Sequence, residues 1–385
     1  VTKQRAGLGL AALSVSTFVA VTSELLPIGL IPAISSGLNV STSVAGLSIS
    51  VFAVLVAVLA LPMTALTSRM PRKTLLVVAL AGYAASNIIV AIAPDFAVLC
   101  LGRAVGGLSH AVFYSVVTAY ASALVPAPKV GRALSIAFAG ASLGSVLGVP
   151  LTTFIGTQAG WRTAFVVMAV VAVVLALVVV AFVPGVASEE PHEDGSRYRP
   201  GRGLIVVAIA DVLIFLGHHT AYTYIAPLLG LAGVTDDGLS GALLLLGVIS
   251  VGGLIASGLL ADRHLGAAFA SSAGVIAITL VVLALVSHSV PATLADAAIW
   301  CLAFGAISPL ITTAAVRTGA VSASTAGAVV NSASNIGITL GSLLGGGIIT
   351  AGALPAVPIV GAVFAAAAAV IAATSRKGFP SGRRL

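Results

Sequence analysis

Residues 184–202 read PGVASEEPHEDGSRYRPGR. Four of the chain's eleven acidic residues, three arginines and three prolines fall there, a composition that cannot enter hydrocarbon. The chain on either side is built differently. Six apolar runs come before it, near 8–34, 43–66, 74–93, 96–122, 131–156 and 163–183. Six more follow, near 203–229, 239–260, 267–287, 292–316, 323–350 and 355–374. Each run is roughly 18–27 residues, which at ~1.5 Å per residue crosses a ~30 Å bilayer core. The pattern predicts an all-α polytopic membrane protein of twelve spans. Residues 1–183 and 203–385 are expected to form two six-helix bundles, with 184–202 as a cytoplasmic linker.

Composition agrees. Of 385 residues, 59% are hydrophobic and 8% charged, and the mean hydropathy is +1.17. A water-soluble globule of this length has too little interior to hide that much apolar surface. The net charge of +7 would suggest nucleic acid in a soluble protein. Here the basic residues sit in short loops, where lipid headgroups are their expected counter-charge. Laid down from an inside N-terminus, sixteen of the eighteen Lys and Arg fall on the cytoplasmic side; only Arg162 lies outside, and Arg103 lies within a span. This bias orients the protein with both termini cytoplasmic, in a bacterial inner membrane. The first apolar run lacks a cleavage site and reads as an uncleaved span. Cys100 and Cys301 both fall inside spans, so neither a disulfide nor a metal site is expected.

Landmarks recur across the linker, as in an internal repeat. Helix 5 carries Gly140, Gly144 and Gly148, and helix 11 carries Gly337, Gly341 and Gly345. Glu24 and Pro32 of helix 1 have His219 and Pro227 of helix 7 as counterparts, each 195 positions later. TALTSRMPRK around Arg69 closes helix 2, and GLLADR around Arg263 closes helix 8.

These stretches resemble the major facilitator superfamily, and within it the twelve-helix drug:proton antiporter group. The superfamily's loop pattern, roughly G-x-L-a-D-R-x-G-R-K, is matched at Gly258, Leu260, Asp262 and Arg263. In the first half Thr64, Ser68 and Pro71 replace its Gly, Asp and Gly, while Leu66, Arg69, Arg72 and Lys73 remain. LGRAVGG matches the helix 4 pattern at Arg103, Gly106 and Gly107, and GASLGSVLGVP from Gly140 to Pro150 resembles the helix 5 antiporter pattern. SELLPIGLIP and HHTAYTYIAP are similar to the sugar-efflux branch. The resemblance implies a monomeric secondary transporter that uses a proton gradient and no cofactor. The family pattern of helix 5 is associated with exchange. Its glycines make a smooth groove that Pro150 bends, and this helix is expected to pack tightly against helix 8.

Ionisable groups at membrane depth are costly, and each invites a role. Glu24 lies about 24 Å along helix 1 and reads as a proton-coupling carboxyl, or else as a structural one bonded to the break at Pro27. Arg103 needs acceptors, from Glu24 or from carbonyls freed near Pro27 and Pro150. It is either part of the proton relay, as the resemblance implies, or a structural clamp. Asp211 is a second protonation site or counter-ion, or the partner of a nearby Ser or Thr. Asp296 lies toward the end of helix 10, where its cost is smaller.

His110, His218 and His219 can titrate or bind substrate, or can be satisfied helix histidines. Adjacent side chains diverge by about 100° on a helix, so one of His218 and His219 is expected to line a cavity, together with Tyr222. Asn331 and Asn335 share a face with Thr339 and either hold helices together or meet a ligand. Tyr114, Tyr222 and Trp300 offer flat apolar surface to an amphipathic substrate. Proton-coupled efflux of a small drug-like or sugar-like molecule through a cavity between the halves is the leading expectation. A proton-coupled importer or a facilitator is the alternative. No nucleotide-binding G-x-x-x-x-G-K-[ST] stretch is present. An intramembrane enzyme would need a nucleophile and base at depth, and a receptor would need a soluble domain; neither is apparent in the sequence.

Overall fold

The structure is a computed structural model that describes residues 3–67, 70–126, 130–185, 201–286, 289–321, 323–375 and 377–379. Arg69 and positions 186–200 of the linker lie outside the described residues, as do the surroundings of Gly258 and the side chains of Asp262 and Arg263. The described chain is helical and without strands. Twelve of its helical stretches are long and apolar enough to cross a membrane, and they coincide with the twelve apolar runs. Their outward faces are apolar as well. On one helix Val166, Val170, Val173, Val174 and Leu177 are all exposed, an arrangement that suits lipid and not water.

By its contacts the chain divides into two compact units. One runs from the N-terminus to Pro27 and from Val51 to the linker; the other holds Ile28–Ser50 and the chain after the linker. The tip of the first hairpin therefore groups with the later helices.

In the first unit α1 (Lys3–Leu25) ends in a 3-10 turn, Leu26–Leu30, before α2 (Ile31–Leu38). Pro27 is the cause. It has no N–H for the carbonyl of Ser23 four residues back, so the α-helical ladder fails there. Next come α3 (Thr42–Leu66), α4 (Arg72–Ala91) and α5 (Phe96–Ala123). Helix 5 is split into α6 (Val130–Leu143), a π-helical turn at Gly144–Gly148 and α7 (Val149–Ala159), and α8 (Trp161–Phe182) completes the unit. The π turn directly precedes Pro150, which offers no donor to Val146; a local widening accommodates this.

After the linker, α9 (Arg202–Tyr222) breaks at Thr223 and Tyr224 and resumes as α10 (Ile225–Leu231). This repeats the interruption of helix 1. Helices 8 and 9 form α11 (Asp236–Val286), interrupted only by the non-helical backbone of His264 (φ −139°, ψ 48°). The separate loop expected there is reduced to a kink. Helix 10 comprises α12 (Val290–Gly305) and α13 (Ile307–Arg317), followed by α14 (Ala323–Thr350) and α15 (Val357–Thr374). Pro309, which cannot donate to the Gly305 carbonyl, accounts for the break between α12 and α13.

The glycine rows decide two helix pairs. A Cβ on Gly140 would overlap the Ser14 carbonyl oxygen, one on Gly144 would lie 3.0 Å from the Phe18 carbonyl oxygen, and one on Gly148 would strike Thr22. All three partners are on α1. Thr17 Oγ1 also donates to the Ala137 carbonyl at 2.6 Å, a cross-helix bond that needs this close approach. The row thus faces helix 1. Small residues four apart let two backbones touch, and here the backbone that fits is that of α1.

The second unit repeats the arrangement. Cβ atoms on Gly337, Gly341 and Gly345 would meet the carbonyl oxygens of Val212, Leu216 and Thr220 on α9. Helix 11 has no proline after its row and stays a continuous helix over Ala323–Thr350.

At the far end of the same row, Tyr224 donates its hydroxyl to the Ser342 carbonyl at 2.9 Å. That hydroxyl sits where side chains on Gly46 or Gly346 would be. Ser50 pairs with Ser342, and Thr350 donates to Ser43 at 2.9 Å. These hydroxyl bonds hold residues 42–50 in the second unit.

Candidate functional site

The sequence-predicted residues collect in two buried clusters, one in each unit. In the first, Arg103 is only 1% exposed and its charge is permanent. Its Nη1 donates to the Ser23 carbonyl at 2.6 Å and its Nη2 to the Glu24 carbonyl at 2.7 Å. Ser23 is the residue that Pro27 deprives of its helical donor, so the guanidinium supplies the N–H that proline lacks. The ring of Phe52 lies 4.4 Å beneath the guanidinium carbon, a further stabilisation of a cation away from water. Two acceptors of Arg103 are therefore carbonyls at the Pro27 break.

The Glu24 carboxyl is left to face elsewhere. Its Oε2 is 3.7 Å from Nε2 of His110. His110, on α5, stacks on Tyr114 one turn away (4.6 Å between centroids, 23°) and meets Phe52 and Tyr83 edge-on. Asn87 Nδ2 donates to Ser23 Oγ and to the Tyr83 carbonyl. The buried Tyr83 hydroxyl and His110 Nδ1 have no hydrogen-bond partner among the described residues. This is an acid, a base and a fixed cation on α1 and α5, with unfilled polar atoms around them. Such a set can hold and pass a proton.

A lysine at 103 keeps the charge but is compact and cannot serve two carbonyls as the planar fork does. Arg103→Lys is expected to lose one charge-assisted bond, about 1.5–3 kcal/mol, visible as a lower thermal unfolding temperature in detergent. Unchanged unfolding would show that the fork does not brace the break.

In the second cluster, Asp211 on α9 is 0% exposed and accepts from Ser334 Oγ of α14 at 2.9 Å; its Oδ1 has no hydrogen-bond partner. The side chain of His218 lies parallel to Phe304 (3.4 Å, 5°) and to Tyr222 (4.7 Å, 25°), with Trp300 edge-on at 5.2 Å. His219 stacks on Phe215 (6.1 Å, 15°). Both histidines thus enter one ring cluster; the expected divergence of neighbouring side chains is met by rings on both sides. Asn335 Nδ2 donates to the Asn331 carbonyl and Thr339 Oγ1 to that of Asn335. Asn335 Oδ1, Trp300 Nε1 and Asp296 Oδ2 are buried with no hydrogen-bond partner.

Several members escaped the sequence reading. Phe215 and Phe304 lie four residues from His219 and Trp300, and that spacing was the available signal. Asn87 stood out as an amide in an apolar run. Phe52 gave no local signal, because its partner is 51 positions away in the sequence.

The basic residues of the loop pattern are more scattered. Arg72 is buried, and Lys73 Nζ donates to the Val180 carbonyl in the last turn of α8 at 2.8 Å, where helix polarity favours a cation. Arg162, at the other end of α8, donates to the Ala93 carbonyl and covers the Trp161 ring.

Twelve membrane-length helices around buried polar clusters define a multi-pass membrane transporter. The chain belongs to the Major Facilitator Superfamily, whose family model matches residues 13–329. It is 32% identical over 352 residues to a protein named a chloramphenicol efflux pump of Mycobacterium tuberculosis (strain CDC 1551 / Oshkosh), covering 88% of this chain and 84% of that one. Among solved structures, a bacterial homologue of the human lysosomal transporter Spinster, inward-facing and occupied, superposes with a TM-score of 0.77 at 15% identity over 97% of each chain. The human organic anion transporter MFSD10 gives 0.68 at 16% identity, over 97% of this chain and all of that one. Family and relatives are transporters, not enzymes.

Proposed function

We propose that this protein exports a small organic molecule from a bacterial cytoplasm in exchange for protons, by alternating access. The observation that carries the reading is the Glu24 carboxyl, 8% exposed within helix 1 and 3.7 Å from His110. Arg103 occupies the carbonyls at the Pro27 break. The carboxyl is thus spared structural duty and stays available to a proton.

When Glu24 is ionised, its charge offsets part of that of Arg103; when it is protonated, that contribution is lost in a low-dielectric site. Protonation therefore changes the electrostatic balance of the α1–α5 contact, and a transporter can use that change to favour one conformation over another. Asp211, with one free carboxylate oxygen, is a second candidate for protonation. His110 and Tyr114 in one unit, and His218, His219, Tyr222, Trp300, Asn331 and Asn335 in the other, are the proposed substrate contacts. The distribution of basic residues supports cytoplasmic termini, and the relative's name supports chloramphenicol as the first compound to try.

The test is chloramphenicol accumulation in cells with and without the protein, paired with proton movement in vesicles. Reduced accumulation that collapses with the proton gradient, and proton flux on adding drug, are the expected results. Export that persists without the gradient would sink the exchange reading.

A further inference from the structure

We propose that the second unit carries a ring-selective site, formed by Phe215, Tyr222 and Phe304 around the buried His218 and Trp300. It takes a flat aromatic ring bearing a hydrogen-bond acceptor. The proposal deepens the export reading by describing what class of molecule that site prefers.

Three observations converge. First, accessibility is graded: His218 and Trp300 are fully buried, while Phe215, Tyr222 and Phe304 are half-buried. Second, the spacing already suits a planar ring. The imidazole of His218 lies near-parallel to two neighbours, Phe304 at 5° and Tyr222 at 25°. Phe215 meets Phe304 at 5.4 Å and 68°, which extends the wall. Aromatic stacking rewards flat rings beyond their buried area, and an alicyclic ring of the same size forfeits that. Third, polar atoms in the cluster await a partner. Trp300 Nε1 and Nδ1 of both His218 and His219 are buried without a hydrogen bond among the described residues. Indole N–H only donates, so the complementary group on the ligand is an acceptor such as a nitro, carbonyl or ether oxygen. Leaving such atoms unfilled is costly, and a ligand that fills them recovers the cost.

Phe304 is the specificity-determining residue in this account, because it touches His218, His219 and Phe215 together. The chain has two tryptophans, Trp161 and Trp300, so Trp161→Phe leaves Trp300 as sole emitter. In the purified full-length Trp161→Phe protein, 4-nitrobenzyl alcohol should quench Trp300 emission with saturation. Cyclohexylmethanol at equal concentration should fail to displace it. Adding Phe304→Leu should weaken apparent binding at least about tenfold, while Phe304→Tyr, which keeps the ring, should retain it. Quenching linear in probe, or equal displacement by cyclohexylmethanol, overturns the proposal; so does unchanged saturation in a folded Phe304→Leu protein. If Phe304→Leu does not fold, the parent titration and the competition still decide. Saturable binding by a protein that moves no substrate in vesicles would sink the export reading and leave this site standing. Export without saturable, ring-selective quenching would do the reverse.

Discussion

Glu24→Gln is expected to abolish proton movement linked to export while leaving the fold intact. The amide matches the carboxyl in size and polarity but cannot carry a proton, and Arg103 is bonded to main-chain carbonyls that the substitution does not touch. Losing a positioned proton carrier costs about 100-fold or more, so gradient-driven export should fall at least that far. Ring binding at His218, Phe304 and Tyr222 should survive, because those residues lie in the other unit. Glu24→Asp, which keeps an acid on a shorter stem, should retain a measurable fraction. The comparison is made in vesicles with an internal pH dye and a wild-type control at matched protein density. Drug-stimulated proton flux that persists in Glu24→Gln would remove Glu24 from the coupling path. Asp211 would then be the next carboxyl to test.

The second large effect concerns backbone approach. Gly140→Leu puts atoms where the Ser14 carbonyl oxygen lies, so α1 and α6 must separate and the Thr17 bond to Ala137 must break. Overpacking against movable side chains costs about 1–3 kcal/mol, and main chain yields less readily. The expected result is loss of folded protein in detergent and no transport. Gly341→Leu should behave alike, since its Cβ would meet the Leu216 carbonyl and the Thr220 nitrogen on α9.

A control sits a few residues away. Nothing lies within 4 Å of a Cβ on Gly347, whereas one on Gly345 would overlap the Thr220 carbonyl. Gly347→Ala is expected to be neutral, or up to about 1 kcal/mol stabilising through helix propensity, and Gly345→Ala damaging. Thermal unfolding of the two alanine variants checks the contrast. A folded, active Gly140→Leu protein would refute the close-packed pairing.

Much of this was readable from local pattern. Apolar runs of spanning length placed all twelve spans, because length and hydropathy are properties of consecutive residues. The glycine rows were legible as rows, since spacing of four defines a helix face. Their partner was not. Nothing in Gly140, Gly144 and Gly148 says whether helix 8 or helix 1 lies against them, because that depends on which backbone comes close in space. Likewise, Glu24 and Arg103 were visible as costly charges, and a carbonyl freed at Pro27 was visible as an acceptor. Whether the guanidinium would take the carboxylate or the carbonyls was not.

What the sequence by itself determined is membrane class, span positions, the twofold repeat and the residues whose burial would be expensive. Each follows from the one-dimensional cost of placing a side chain or a proline at a given depth. Tertiary structure alone decided the pairing of helix 5 with helix 1 and of helix 11 with helix 7, the release of the Glu24 carboxyl by Arg103, and the gathering of Phe215 and Phe304 about His218. Those depend on contacts between residues some 80–130 positions apart, and no local periodicity encodes which distant surfaces meet.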